Sequence, residues 1–452
     1  MNRAIPTVAV AATMLVLVCL GCIRVPRVPD DAVGSIAVLG DTQMMTEPAP
    51  LSLAGKFEGA TGWLQSYAEA LHLGFTIQVG DLTNGTYKSG GFTEPATNPL
   101  GLTEMAYAKR AMDKLWRPAS GPAVPWTVSL GNHDIDQWCW GAAHSPKVVS
   151  PDPRCTAGGM IIGGGAIRST ANFNETFPPS YFMAMPTWGG QQTAANVDDN
   201  FNNFNRLRIG RQQWLVVSLM WSPQPADFDW ANRVIDQEVA ADPDVRVIVV
   251  THAFMHPTWH GDPATLNAGP GFGSARELYD NVLNRHPQIR LVLSGHYPEP
   301  EPIEPTKQCV NQADPATFGP CQWIRNASVE VPATEGRPAY TFHAVLTDYS
   351  YNGDLRTKQF FVQSDQAAPE GPVQVERLAD DNAYFRLLTF DTVHNTIRVR
   401  TITDPANVAP ASPPPPGCAP TSLADLGIET PVCGKTDGAY GTSADDYTLE
   451  YS

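Results

Sequence analysis

The chain has 452 residues, of which 42% are hydrophobic, and its formal net charge is −16 at pH 7. This length allows one large domain or two ordinary ones, with a sizeable core in either case. Nucleic-acid binding as the main function is disfavoured, because an acidic surface repels phosphate backbones and the sequence contains no cluster of lysine and arginine.

The N-terminal residues have the layout of an export signal. One arginine precedes an apolar run over about residues 5–20, which is short for a membrane span, and a glycine then precedes Cys22. This Gly-Cys pair resembles the lipidation site of bacterial lipoproteins. We interpret 1–22 as a signal peptide of lipoprotein type and 23–33 as a linker, with plain secretion and an uncleaved anchor as alternatives. All three predict export, to the bacterial cell envelope as an outer-membrane or periplasmic lipoprotein, or to the medium.

An exported chain favours disulfide bonds. Six cysteines follow the signal and fall into three couples that are close in sequence. We predict that each couple pairs internally, although other pairings are formally open. A zinc–thiolate site is disfavoured, because no Cys-x-x-Cys spacing occurs after the signal. The couples are Cys139 with Cys155, Cys309 with Cys321, and Cys418 with Cys433.

Strands and helices alternate along the first part of the chain. In chain order the patterns predict a strand at about 35–39, a helix from Phe57 to Leu71 that stops at Gly74, a strand in FTIQVGDL, a helix in TEMAYAKRAMDKLW and a strand in VPWTVSLGNHD. After a long polar insert they predict a strand in QQWLVVSLMW, then a helix and a strand in FDWANRVIDQEVAADPDVRVIVVTH, and the same pair in SARELYDNVLNRHPQIRLVLSGH.

The later segments change character. AYTFHAVLTDYS, YFRLLTFD and TIRVRTIT are predicted strands joined by turns, without helices between them. We therefore predict an α/β fold of the four-layer α+β type, with two packed mixed β-sheets flanked by helices. The predicted domain spans 34–405. A proline-rich segment, 406–417, and a C-terminal tail, 418–452, follow it, and DYTLEY in the tail is predicted to return to the domain as an edge strand.

Polar residues follow five of these strands. In covered α/β sheets ligands bind just beyond the carboxyl ends of the strands. Aspartate is seldom buried there unless it is paired or bound to a metal. Carboxylates, amides and imidazoles gathered at one edge suit hydrolysis assisted by divalent metals. The residues concerned are Asp41, Gln43, Asp81, Asn132, His133, His252 and His296.

These residues lie in a recognisable series of motifs. GDTQ, GDL, GNHD, VVTH and SGH, in that order, resemble the calcineurin-like metallophosphoesterase superfamily, and the glutamine of the first motif resembles its exported bacterial branch. The resemblance spans roughly residues 34–405. It implies a two-sheet sandwich, two divalent metal ions (Mn, Fe, Zn or Mg), and a phosphoric ester hydrolase that cleaves small-molecule mono- or diesters through a metal-bridged hydroxide.

The resemblance also implies a role for each residue. His133 would protonate the leaving oxygen as general acid, and Asp134 would hold its ring in the useful orientation. The implied metal ligands are Asp41 and Gln43 at the first metal, Asp81 between both, and Asn132, His252 and His296 at the second. His256 is a candidate for facing the substrate, against the plainer interpretation as a loop histidine.

The sequence departs from the family pattern at two positions. Gln43 stands where histidine is usual, and its amide oxygen favours oxygen-preferring ions such as Mn²⁺ or Mg²⁺. Pro298 stands where the pattern closes with a histidine that ligates the first metal. The replacements that the sequence offers are Tyr297, Glu299, Glu301 or waters.

Two further functions remain as alternatives. The first is an exported binding or scaffold lipoprotein that lacks a complete first metal site and most of the catalysis. The retained Asp81, Asn132 and His133 favour the enzyme over this alternative, because a binder has no evident need of a leaving-group acid. The second is a nuclease, which the acidic charge disfavours. The sequence predicts neither the substrate nor the oligomeric state.

Overall fold

The computed structural model describes most of the predicted domain. The described residues are 32–46, 54–83, 99–135, 170–193, 201–256, 259, 261–266, 275–297, 308–311, 314–320, 326–348, 384–403, 418–423, 426, 428–435 and 446–451. Within these ranges no helix combines the length and the apolar character that crossing a membrane requires. The predictions that lie outside them concern the signal peptide 1–22 with Cys22, the proline-rich segment 406–417, Cys139, Cys155, Cys321, Pro298, Glu299 and Glu301.

The described residues form strands through most of the chain and helices mainly in its first two thirds. The strands are β1 (Val33–Leu39), β2 (Leu73–Gln78), β3 (Trp126–Val128), β4 (Trp188–Gln191), β5 (Asn203–Ile209), β6 (Gln212–Leu219), β7 (Arg246–Thr251), β8 (Ile289–Ser294), β9 (Gln308–Asn311), β10 (Asp314–Pro320), β11 (Asn326–Val331), β12 (Tyr340–Leu346), β13 (Phe385–Asp391), β14 (Thr396–Thr403), β15 (Cys418–Leu423), β16 (Ile428–Lys435) and β17 (Asp446–Glu450). The α-helices are α1 (Ala54–Ser66), α2 (Pro99–Trp116), α3 (Ala171–Thr176), α4 (Pro179–Met183), α5 (Pro225–Ala241) and α6 (Ala275–Leu278), which a π-helix (Tyr279–Leu283) continues.

Two large mixed sheets carry the fold. The first has the order β15-β16-β14-β13-β1-β2-β3, with β17 paired to β14, and the second has the order β11-β12-β8-β7-β6-β5-β4. In the first, β1, β2 and β3 run parallel, whereas β13 pairs antiparallel with β1. In the second, β6, β7, β8 and β12 run parallel. Parallel neighbours end at the same edge of a sheet, so the residues that follow them are brought together.

The alternation of side chains along the strands explains how the sheets pack. In β1, Ile36 and Val38 face the second sheet, whereas Ala37 and Leu39 face the helices. Strands buried on both faces have no polar side to show, which is why their sequences are continuously apolar. The core between the sheets draws on both of them and includes Phe75, Ile77, Trp214, Val216, Ile248, Val250, Leu291, Leu293, Leu388 and Phe390.

Helices cover the outer face of each sheet. Phe57 of α1 and Met112 of α2 belong to the core on the first sheet. Phe228 of α5 and Leu278 of α6 belong to the core on the second. The layers are therefore helix, sheet, sheet and helix, and the predicted fold class is confirmed.

The helix after β1 is shorter than its apolar spacing predicts, and the proposed stop at Gly74 is wrong. The helix ends at Ser66, and the chain turns at His72, which has a left-handed φ of 49°. Gly74 instead lies inside β2. Leu71 and Leu73 still face the core on either side of the turn, so the apolar periodicity continues although the helix does not.

The polar insert before β6 hides a strand that the sequence analysis missed. In β5 the alternate residues Asn203 and Asn205 are buried, and Asn203 Oδ1 accepts a hydrogen bond from Thr127 Oγ1 at 2.6 Å. Because asparagine takes positions that are normally apolar, the two-residue period is invisible in hydropathy.

The C-terminal tail contributes strands to the first sheet. Strand β17 pairs antiparallel with β14, and two further strands, β15 and β16, form a hairpin beside it. In that hairpin Cys433 lies opposite Pro420, two residues from Cys418, and in the small sheet of β9 and β10 Cys309 lies opposite Gly319. The predicted disulfide pairing itself stays a prediction.

Candidate metal centre

Strand ends of both sheets meet at one edge of the molecule. The chain leaves β1 and β2 of the first sheet towards Asp41 and Asp81, and it leaves β7 and β8 of the second towards His252 and His296. Two contacts join the sheets there. His252 Nδ1 lies 3.0 Å from the carbonyl oxygen of Val79, and the His296 backbone N–H donates to both carboxylate oxygens of Asp41 at 3.1 and 3.2 Å.

The ring of His252 faces two oxygen ligands. Its Nε2 lies 3.1 Å from Asn132 Oδ1 and 3.2 Å from Asp81 Oδ1. Its Nδ1–H donates to the Val79 carbonyl, which fixes the tautomer of the neutral ring and leaves the Nε2 lone pair pointing at the two oxygens. Three lone pairs that converge in this way need a positive charge between them, from either a proton or a metal ion.

A metal ion fits this arrangement. Asp81, His252 and His296 each offer one ligand atom, and these three atoms lie within 4.8 Å of one another. Carboxylate oxygen and imidazole nitrogen are ordinary ligands of Zn²⁺, Mn²⁺ and Fe. These residues could therefore hold one divalent ion, with Asn132 Oδ1 close enough to join them.

A tryptophan that sequence reasoning missed fixes the two imidazoles. The buried ring of Trp221 packs edge-on against His252 with a centroid distance of 5.6 Å, and it packs in a tilted arrangement against His296 at 4.6 Å. The two imidazole centroids are 5.0 Å apart. The available sequence signal was position: Trp221 ends the apolar segment QQWLVVSLMW, and the candidate ligands also follow apolar segments.

The backbone at two of these positions is unusual. Asp81 has a φ of 51° and His296 a φ of 72°, both in the left-handed region that residues with a side chain seldom occupy. Glycines also allow the close packing here: a Cβ at Gly131 would overlap Asp81 Oδ1, and one at Gly295 would overlap Asp41 Oδ1. The strained backbone aims the Asp81 and His296 side chains into the centre.

The other half of the centre is built from oxygen groups. Asp41, Gln43 and Asp348 are all buried, and Gln43 opens a short 3-10 helix (Gln43–Met45) two residues after Asp41. The Asp348 carboxyl group lies near that of Asp41 and raises its pKa. The sequence analysis did not identify Asp348, although it follows strand β12 as the other candidates follow theirs.

The Asp134 carboxylate accepts hydrogen bonds from two loops. Its Oδ2 accepts hydrogen bonds from the backbone N–H groups of Leu82 at 3.0 Å and Gly131 at 2.9 Å. Its Oδ1 accepts from the Thr83 N–H at 2.9 Å and the Thr83 hydroxyl at 3.2 Å. The carboxylate thus ties the loop after β2 to the loop after β3, and its predicted role in orienting the His133 ring stays a prediction.

His133 lies beside Asp81. Its backbone N–H donates to Asp81 Oδ1 at 2.9 Å. Its ring Nε2 is 3.9 Å from Asp81 Oδ2, and the side chain keeps 16% of its surface exposed. The ring is therefore next to the candidate ligands and open to solvent on one side.

The pKa values of the two acids Asp81 and Asp41 shift in opposite directions. Burial alone would raise the pKa of Asp81, but the rings of His252 and His133 hold it well below its ordinary value. Burial, together with repulsion by Asp348 and Asp81, raises the pKa of Asp41 well above its ordinary value. Imidazoles therefore stabilise the charged form of Asp81, while burial and neighbouring acids disfavour the charged form of Asp41.

The pKa values of the two histidines His252 and His296 also shift in opposite directions. Burial alone would lower the pKa of His252, but the charge and hydrogen bond of Asp81 raise it. Burial and repulsion from His252 lower the pKa of His296 to about 3. Near neutral pH the His296 ring is thus neutral, which is the form that binds a metal ion.

His256 lies at the margin of this group. Its ring packs edge-on against Tyr297 at a centroid distance of 4.8 Å, and Tyr297 packs against His296 at 4.8 Å. Burial lowers the pKa of His256. The suggestion that it faces the substrate stays a prediction.

The sequence match agrees with the site. A family model described as calcineurin-like phosphoesterase matches residues 34–300, which is more than half of the chain. The chain belongs to the calcineurin-like phosphoesterase family. The match covers Asp41, Asp81, His252 and His296 and ends before Asp348.

Other comparisons are more distant. No curated protein sequence matches the chain. One similar solved structure is that of a candidate 5′-nucleotidase from Staphylococcus aureus in complex with alpha-ketoglutarate, at 10% sequence identity and a TM-score of 0.35. The alignment covers 79% of this chain and 50% of that one, so the chain spans about half the length of that protein.

Proposed function

We propose that this chain is a metal-dependent phosphoesterase that hydrolyses a small-molecule phosphate mono- or diester. The observation that carries the proposal is that Asp81 Oδ1 and Asn132 Oδ1 lie 3.2 and 3.1 Å from His252 Nε2, within the segment 34–300 that the family model matches. A ligand set of this kind has no packing purpose, because burying lone pairs against one another costs free energy unless a cation joins them.

The proposed ligands fall on either side of Asp81. Asn132, His252 and His296 would hold one divalent ion, and Asp41 with Gln43 would hold the other. When bound, two divalent ions would supply an activated water and positive charge against the phosphate oxygens. The protein's contribution is to fix the ligands in advance, through the Val79 carbonyl at His252 and the backbone N–H of His296 at Asp41.

His133 is proposed to deliver the proton to the leaving oxygen. Its backbone is anchored to Asp81 Oδ1 while its ring remains partly exposed, so the ring is positioned without being enclosed. A positioned imidazole contributes roughly 10²–10⁴-fold to a proton transfer of this kind. The contribution is largest when the leaving group is a poor one.

The test uses purified protein without its first 22 residues, loaded with Mn²⁺, Zn²⁺ or Mg²⁺. We expect hydrolysis of 4-nitrophenyl phosphate or its bis-ester that chelation abolishes and metal restores. In His133→Asn, turnover of a methyl or phenyl phosphate falls about 10²-fold or more, whereas 4-nitrophenyl esters lose much less because 4-nitrophenolate needs little protonation. No turnover of any ester by a folded, metal-loaded chain contradicts the proposal.

One observation favours a second candidate. Pro298 stands where the family's ligating histidine is expected, so a chain that holds one metal would be a binding or scaffold protein with little catalysis. Metal counting separates the two, because the enzyme requires two equivalents per chain.

Export and lipid anchoring are a separate part of the proposal. They are supported by the apolar run over about residues 5–20 and by Cys22 after glycine. Mass spectrometry of the mature chain from bacterial membranes is expected to show a diacylglyceryl group on Cys22, and Cys22→Ser is expected to release the protein from the membrane. An unmodified N-terminus in the membrane fraction contradicts it.

A further inference from the structure

Asp348 occupies a place equivalent to that of the histidine ligands. Strand β12 runs parallel to β8, with Leu346 opposite Ser294, and Thr347 N–H donates to the Ser294 carbonyl at 2.7 Å. The same register continued by two residues places Asp348 level with His296. The side chain of a residue that follows β12 thus reaches the edge where β7 and β8 deliver their histidines.

The two sheets approach each other closely at this point. A Cβ at Gly40 would lie 2.8 Å from the Thr347 carbonyl oxygen and 3.4 Å from the Asp348 Cα, so only glycine fits without a shift. The next residue, Asp41, is close enough to Asp348 for that carboxyl group to raise the Asp41 pKa. Both carboxyl groups are almost fully buried, with 3% of Asp41 and 1% of Asp348 exposed.

Two buried carboxylates in contact require a positive charge. Asp41 also feels repulsion from Asp81, so three acids share this part of the centre. A proton shared between two carboxylates, or a cation between them, relieves such repulsion. The histidine half of the centre, formed by His252 and His296 with Asp81, is arranged for a metal ion. A second cation is therefore the natural occupant of the carboxylate half, formed by Asp41, Gln43 and Asp348.

We propose that Asp348 is a ligand of the first metal ion and replaces the histidine that Pro298 displaces. The inference rests on the proposed two-metal function, and it extends the ligand set beyond the residues that the family model matches. The first site then consists of the oxygen donors Asp41, Gln43, Asp81 and Asp348. Such a set selects Mn²⁺ or Mg²⁺ over Zn²⁺, because carboxylate and amide oxygens suit harder ions.

The decisive variant is Asp348→Asn, which keeps the shape and removes the charge. Equilibrium dialysis with Mn²⁺ is expected to give two equivalents in wild type, whereas the first-site Kd of the variant rises at least about tenfold. Manganese EPR is expected to lose its spin-coupled signal at Mn²⁺ concentrations that fill only the second site. The metal-free variant is expected to melt no lower than metal-free wild type, because one of two like charges is gone.

Asp227→Asn is the matched control. Asp227 is also a buried acid, but its Oδ2 accepts the Gln224 backbone N–H at 2.7 Å at the start of α5. We expect two equivalents of Mn²⁺ in this variant. If Asp348→Asn does not fold, diffraction at the manganese edge from wild-type crystals replaces it, with an Asp348 oxygen expected within about 2.4 Å of an ion.

The outcomes separate this inference from the proposed function. Two tight Mn²⁺ equivalents in Asp348→Asn, or an ion out of reach of Asp348, overturn the inference while hydrolysis by wild type leaves the phosphoesterase standing. Loss of one equivalent in the variant supports the inference even if wild type hydrolyses no ester tested. A wild type that binds a single Mn²⁺ overturns it.

Discussion

The two halves of the centre differ in how far they are organised before any metal binds. Around His252, nitrogen and oxygen lone pairs already lie about 3.2 Å apart, and a backbone carbonyl holds the ring. Around Asp41, the neighbouring groups are other carboxylates, Asp348 and Asp81. The difference shows that a carboxylate and imidazoles can be set in place together because their charges offset each other, whereas adjacent carboxylates repel until a cation or a proton joins them.

Asp81 belongs to both halves, and its loss is expected to have the largest effect. In Asp81→Asn, kcat/KM should fall at least about a thousandfold, or about 4 kcal/mol in transition-state free energy, because neither ion keeps its shared carboxylate. The measurement is hydrolysis of 4-nitrophenyl phosphate alongside metal content. A variant that retains two ions and near-normal turnover would show that Asp81 does not join the halves.

A pair of glycine variants separates the halves. Gly131→Ala pushes a Cβ against Asp81 Oδ1 and His252 Cε1, whereas Gly295→Ala pushes one against Asp41 Oδ1. Each is expected to lower the free energy of unfolding by about 1–3 kcal/mol. Gly131→Ala should lower the Mn²⁺ affinity of the histidine half more, and Gly295→Ala that of the carboxylate half more. Two-site Mn²⁺ titrations measure both affinities.

Gly74→Ala is the control for both, because a Cβ at Gly74 meets nothing within 4 Å. It is expected to bind both ions as wild type does. Equal weakening of both sites by Gly131→Ala and Gly295→Ala would mean that the two halves form one unit rather than two.

Trp221→Leu tests whether packing behind the two imidazoles holds the histidine half in place. The ring packs on both His252 and His296, so its removal lets both imidazoles move while every ligand remains. We expect the affinity of that half to fall about 10–100-fold, as for other groups that orient ligands. The affinity of the carboxylate half should change little, and an equal loss there would contradict the division.

An interior histidine supplies the smallest of these effects. His343 uses both ring nitrogens within the protein: Nε2 lies 2.7 Å from the Glu450 carbonyl oxygen and Nδ1 lies 3.0 Å from Ser328 Oγ. Burial lowers its pKa below the ordinary 6.5, although the Glu450 contact opposes this. The folded state therefore favours the neutral ring, and its contribution to stability is present above pH 6.5 and lost as the pH falls below that value.

The check is a comparison of metal-free wild type with His343→Gln. Between pH 7.5 and about 5, the unfolding free energy of wild type should fall more steeply than that of the variant. Identical slopes would mean that His343 titrates alike in both states. His343 makes only structural contacts among those described, whereas Nε2 of His252 faces the oxygens of Asn132 and Asp81. Identical slopes would mean that the structural contacts of His343 do not shift its titration.

Most of the histidine half could be predicted from sequence because its information is local. Asp81, Asn132 and His252 each follow an apolar strand directly, and glycine precedes the first two. Parallel strands then bring the ends together without any further knowledge of topology. The layered fold could be predicted for the same reason, since strand and helix periods are also local.

The carboxylate half could not be completed in this way. Asp348 carries no motif, and its relation to His296 depends on β12 lying beside β8, although 45 residues separate these two strands in the chain. The hydrogen bonds of Asp134 could not be predicted for a similar reason, because they come from a loop about fifty residues earlier. Both depend on which loops meet, and hydropathy does not record that.

The left-handed backbone at Asp81 and His296 has a practical consequence for protein engineering. A residue with a side chain in this region costs on the order of 1–3 kcal/mol, which glycine would recover. Stability and ligand placement therefore oppose each other at these two positions. A laboratory selection for heat resistance alone would favour glycine at both positions. The selected protein would be more stable, but it would lack these two candidate ligands.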